Sequence, residues 1–205
     1  RGQPRPNFIA TDPQTRGAEV AMVVVLFAVS DGEPRLDPEG LEELAEDGLA
    51  AAARHSMPIN LLCWGRLEQA GQLAARHPNT QLVIDHLGLQ QPLEPPPPAQ
   101  PWAELPKVLA LAAYPNVAIK ISGACTLSHE KFPYKDIWDP LARIFDAFGF
   151  RRCMWGTDWT RAVKLLTYRE GVEAFRVTDR LTDSDRAELM GDSLARIYKW
   201  SPSKS

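Results

Sequence analysis

Strand-length apolar runs alternate with helix-length stretches along most of this chain, and that alternation constrains its fold more tightly than any single motif. The apolar runs fall at residues 7–10, 20–29, 59–64, 82–87, 117–122 and 153–157. They are mostly continuous rather than alternately polar, the texture of strands buried on both faces. Between them lie helical stripes. Leu41, Leu44, Leu49 and Ala52 form one, and Leu67, Ala70 and Leu73 the next. Trp102, Leu105, Val108, Leu109 and Leu111 form a third, and Ile137, Leu141, Ile144, Phe145 and Phe148 a fourth. A last helix is predicted from Thr182, with Asp185 placed to complete a capping box, burying Leu189, Leu194, Ile197 and Tyr198. Repeated βα units imply a parallel sheet with right-handed crossovers. Only residues 11–19 separate the first two runs, whereas a parallel crossover takes a dozen or more. Either those two runs are not parallel neighbours or a connecting helix is missing.

Composition narrows the class of partner. The chain has 205 residues, with 23 Lys and Arg against 26 Asp and Glu, a formal charge of −3. A balanced, slightly acidic surface lacks the clustered basic excess that nucleic acid requires, so a small-molecule substrate is expected and nucleic acid is not. The longest apolar run, residues 20–29, is half the length of a membrane span of ~20 residues, so no membrane association is expected. Cys63, Cys125 and Cys153 are odd in number and form no C-x-x-C pair. They read as reduced, buried thiols of a cytoplasmic protein. No composition shift divides the chain, so residues 1–205 are taken as one domain. The proline-rich stretch 90–101 lies within that domain and is expected to be extended polyproline.

In parallel α/β folds the ligand site forms at the carboxyl ends of the strands. Three successive runs end there in polar groups: Asp85 and His86, then Lys120 and Ser122, then Thr157, Asp158 and Trp159. Polar groups inside apolar strands are costly unless they are paired or used. Singly, each has an ordinary explanation: a hydrogen-bonded pair, a salt bridge, a helix cap. Together, at the same end of consecutive strands, they make a candidate site. Strict alternation places His86 on the face of Ile84 and away from Asp85, Lys120 with Ser122, and Asp158 with Gly156. His55 and His77 sit at helix ends, where the dipole explains them. His129 either reaches the same face or is solvated. Trp64, Trp102 and Trp159 could line a pocket, though packing explains them equally well.

These same residues carry a family resemblance. Val83-Ile-Asp-His-Leu-Gly88, Val117-Ala-Ile-Lys-Ile-Ser-Gly123 and Arg152-Cys-Met-Trp-Gly-Thr-Asp-Trp159 resemble three successive strand motifs of the amidohydrolase-related family, nearest its lactonase-like branch. The tail Leu189-Met-Gly-Asp-Ser-Leu-Ala-Arg-Ile-Tyr198 is similar to the family's closing helix. The resemblance implies a (β/α)₈ TIM barrel, with His86 ending the sixth strand and Asp158 the eighth. It implies hydrolysis of a lactone or related ester or amide, with decarboxylation as the chemistry of a relative. Asp158 would be the catalytic carboxylate and the ligand of a divalent metal, zinc foremost. His86 would be catalytic beside it, holding or polarising the substrate carbonyl, with Lys120 and Trp159 as substrate contacts. The family's first strand carries a His-x-His pair, and this chain has none. A barrel of this kind takes ~250 residues. The expectation is therefore a partial barrel lacking its first strands, with open edges that favour association with another chain. The alternative is a non-catalytic α/β scaffold that binds a small molecule or partner.

Overall fold

A computed structural model describes residues 23–26 and 38–200 of the chain, with side chains from residue 47 onward. The apolar run at residues 7–10 and both ends of the run at 20–29 lie outside the described residues. The sheet has five strands: β1 (Val23–Leu26), β2 (Ile59–Leu62), β3 (Leu82–Ile84), β4 (Val117–Lys120) and β5 (Cys153–Met154). All neighbours pair parallel, and the spatial order is the sequence order, β1-β2-β3-β4-β5. A doubly wound sheet reverses its order at a switch point. No reversal occurs among the described strands, so the winding is that of a partial (β/α)₈ barrel.

Between the strands run α1 (Pro38–His55), α2 (Leu67–Arg76), α3 (Leu105–Ala110) and α4 (Trp138–Phe148). Each buries the stripe read from the sequence: Leu67, Ala70 and Leu73 on α2, and Leu141, Ile144, Phe145 and Phe148 on α4. After β5 come α5 (Trp159–Ala162), α6 (Tyr168–Arg176), α7 (Asp183–Ala187) and α8 (Ser193–Tyr198). The predicted cap at Thr182 forms, its side chain accepting from the Asp185 amide while the Asp185 carboxylate reaches back. The single closing helix that was expected is in fact two, joined by a wider π-type turn at Glu188–Asp192.

The strand residues divide between two faces. Ile59, Leu61, Leu82, Ile84, Val117 and Ile119 face the helices in one continuous core. Val83, Ala118 and Met154 face the other way, against Leu194, Ile197 and Tyr198 of α8. Cys63, Cys125 and Cys153 are free and buried, and desolvation pushes all three thiols up to about 12. They pack as small apolar residues rather than nucleophiles. Among the described residues no helix is long and apolar enough to cross a membrane.

The proline-rich stretch departs from expectation. Instead of a straight polyproline rod it bends at residues 93–96 and 99–100 and turns through 101–104. Tertiary ties account for this: Lys164 pairs with Glu94 at 2.7 Å, and Arg161 donates to the Gln91 carbonyl at 3.1 Å. The loop is thereby fastened to the segment that follows Asp158.

Candidate functional site

The site forms where β3, β4 and β5 end. After Ile84 the chain leaves the extended conformation at once and enters a tight turn, Asp85–Gly88. His86 and Leu87 adopt left-handed backbone, φ +49° and +64°. Such conformations are costly for non-glycine residues and persist only where the surroundings impose them. The turn corrects the face assignment made from alternation. His86 no longer follows the period of Ile84, and its ring swings across to the ends of β4 and β5.

There His86 Nδ1 lies 2.9 Å from Ser122 Oγ and 3.3 Å from Asp158 Oδ2. Asp158 is itself left-handed, φ +51°, on the residue before α5. The expected α5 cap is not made, because the Asp158 side chain accepts no bond from the helix amides. Its carboxylate is free to turn inward, where Arg161 Nε stands 3.9 Å from Oδ2. Oδ2 is fully buried and has neighbours without an aligned hydrogen bond. A close contact to His86 and an unsatisfied acceptor are consistent with each other, since proximity at 3.3 Å does not require the donor to point at the oxygen. Gly156 leaves room here: a Cβ on it would sit 3.3 Å from the Ser122 Cβ.

Lys120 is one step away. Its ammonium pairs with Asp85 at 2.8 Å and lies 5.8 Å from the centre of the Tyr198 ring. Burial pulls its proton affinity down, but the hydrogen bond and charge of Asp85 outweigh this, and the net shift is upward. Lys120 therefore stays charged and engaged. His86 shifts the other way. Desolvation is the larger influence and lowers it, against opposing pulls from Asp158 and Asp85, while Arg161 and Lys120 lower it further. A neutral imidazole beside a carboxylate results at neutral pH.

The structure thus brings His86, Ser122 and Asp158 into contact, with Lys120 and Asp85 paired alongside. Trp159 opens α5, its ring set edge-on against Tyr168 at 5.4 Å. Trp64 is exposed and Trp102 packs on the helical core. His129 is exposed, away from this cluster. Arg161 and Gln91 were not singled out in the sequence. Arg161 was detectable in principle, one helical turn past Asp158. Gln91 gave no signal, because its placement depends on how three loops meet.

The largest cavity among the described residues, about 370 Å³, lies elsewhere. Asn79, Gln81, Arg151 and Lys199 line it, residues that precede strands or end α8. That end of a barrel bears on stability rather than catalysis.

For a metal, the donor set is short. Among the described residues no group of three or more His, Cys, Asp or Glu side chains converges. His86 and Asp158 give two donors, where a catalytic zinc takes about three from the protein. The described residues do not by themselves complete a metal site.

Comparison with known proteins agrees with this geometry. The amidohydrolase family profile matches residues 11–200. The L-fucono-1,5-lactonase of Burkholderia ambifaria is 32% identical over 157 residues, 74% of this chain and 48% of that protein. The uncharacterized protein y4mH of Sinorhizobium fredii is 29% identical over 162 residues, 78% of this chain and 50% of that one. An amidohydrolase from Burkholderia multivorans, solved with bound zinc, superposes with a TM-score of 0.64 at 26% identity, over 80% of this chain and 62% of that one. The chain spans about half the length of the curated relatives it matches.

Proposed function

Because the chain belongs to the amidohydrolase family, we propose that its strand-end site serves hydrolysis of a lactone or a related ester or amide, with Asp158 activating water. One observation carries this: a buried carboxylate oxygen, Asp158 Oδ2, without a hydrogen bond, next to an imidazole that burial keeps neutral. The likeness to L-fucono-1,5-lactonases favours a lactone over the decarboxylation chemistry of other relatives.

Asp158 takes a proton from water as the water oxygen bonds to the lactone carbonyl carbon. The carbonyl electron pair moves onto oxygen, where His86 and the Arg161 guanidinium lie close enough to steady the charge. The tetrahedral intermediate collapses with cleavage of the ring C–O bond. The departing alkoxide recovers the proton from Asp158, giving a hydroxy acid. Lys120 and Trp159 are assigned to substrate contact. Asp158 is also the ligand we assign to a divalent ion, zinc foremost, whose remaining donors would come from outside the described residues. A cytoplasmic location is proposed on the three reduced, buried thiols.

The test is hydrolysis of a panel of 1,5-lactones by the chain and its variants. Asp158→Asn should lower the rate by about 10² or more, the usual contribution of a positioned general base. Unchanged hydrolysis in both Asp158→Asn and His86→Gln would overturn the assignment. The short donor set favours a second reading, a non-catalytic scaffold. Lactone binding by calorimetry, without turnover, would establish that instead.

A further inference from the structure

Gln91 has no place in the chemistry above, yet it touches every loop that builds the site. It is 3% exposed, at the start of the proline-rich stretch. Its Nε2 donates to the Ser122 carbonyl at 2.8 Å and to the His86 carbonyl at 3.3 Å. Its own backbone carbonyl accepts from Arg161 Nη1 at 3.1 Å. One residue thus joins the loop after β3, the loop after β4 and the start of α5. Gly123 makes the space. With φ +72°, it occupies the left-handed region, and a Cβ there would come within 2.0 Å of Gln91 Oε1.

That Oε1 is itself buried without a hydrogen-bond partner among the described residues. A carboxamide held under those terms is poor filler, since a methionine would fill the same volume without an unpaired oxygen. Its Nε2 contacts are specific instead. The two carbonyls it holds belong to the residues whose side chains meet at 2.9 Å, His86 and Ser122. Holding the His86 carbonyl also supports the left-handed backbone that aims the ring at Asp158.

We infer that Gln91 is a positioning residue, clamping three strand-end loops so that His86, Ser122 and Asp158 keep their mutual geometry. The inference rests on the reading of His86 and Asp158 as the reacting pair, and its test does not require turnover. In the clamped site desolvation dominates His86 and holds it below its ordinary value. Loosening the loops admits water and weakens the Asp158 contact together; the larger influence wins, so the imidazole should move back up. Gln91→Met keeps the volume and removes both donors. In the full chain, the His86 ring resonance, assigned by its loss in His86→Gln, should titrate about half a pH unit higher or more in Gln91→Met. If turnover is present, kcat should fall about tenfold with KM little changed. A Gln91→Met protein that is less stable, yet titrates His86 as the parent does, shows filler and overturns the inference. Should Gln91→Met fail to fold, Gln91→Asn decides: its shorter amide cannot span both carbonyls, and an unmoved His86 titration in it likewise overturns the clamp. Absence of lactone hydrolysis in every protein, with the His86 shift present, sinks the proposed reaction and leaves the clamp standing.

Discussion

His86 concentrates the competing effects at the site. Burial lowers its proton affinity more than Asp158 and Asp85 raise it. Its folded value therefore lies below the usual 6.5. Between the folded and unfolded values the unfolded chain binds more protons, so stability rises with pH through that window and levels off above about 6.5. Below the folded value the loss is complete. Urea denaturation from pH 5 to pH 8 should show this gain, and His86→Gln should flatten it; an equal slope in the variant would place its origin elsewhere. His86 and Asp158 were legible in the sequence because polar groups at successive strand ends are costly without a use. Their contact was not, because alternation holds only while the strand does. The left-handed turn at His86 and Leu87 ends it immediately after Ile84, and no local residue preference announces that turn.

The elements themselves were easier to read than their ends. Continuous apolar runs became β2 through β5, and the stripes on α2 and α4 face the core as their spacing requires. Each strand came out shorter than its run, since residues such as Cys63 and Ile121 stay buried after the ladder has ended. What fastens the elements together was not visible in the periodicity. Arg152 is the main example. Its guanidinium donates to the carbonyls of Phe148 at 2.9 Å, Tyr114 at 2.9 Å, Ala112 at 3.0 Å and Val117 at 3.2 Å. It ties the end of α4 to the approach to β4, while its plane lies 5.2 Å from the Phe148 ring centre. Hydrogen bonds from a charged donor contribute about 1.5–3 kcal/mol each before solvent compensates the freed carbonyls. Arg152→Met should therefore cost about 2–4 kcal/mol in urea unfolding. Arg152→Lys should recover little of it, because an ammonium cannot present the flat fork that reaches four carbonyls.

For the molecule as a whole, the informative surface is the sheet face turned away from the helices. In a closed barrel that face is filled by side chains from the other strands. Among the described residues α8 lies over it, with Leu194, Ile197 and Tyr198 against Val83, Ala118 and Met154. The sequence foretold the burial of Leu194, Ile197 and Tyr198 but not which side of the sheet would receive them, since a stripe fixes a helix's apolar face and not its partner. Tyr198 is the polar fastening of this layer. Its hydroxyl donates to the side-chain oxygen of Asn60, which is fully buried and whose Nδ2 has no hydrogen bond among the described residues. Tyr198→Phe would leave the whole carboxamide unpaired and should cost about 1–3 kcal/mol. Asn60→Leu in the same chain removes the group that needs a partner, so the double variant should return most of that loss. The non-additivity belongs to residues in direct contact and is read by a double-mutant cycle in urea. If Tyr198→Phe and Asn60→Leu act additively, α8 does not rest on the inner face in solution. Coupling places it there, where Tyr198 also stands beside Lys120 and so joins the packing of the last helix to the edge of the candidate site.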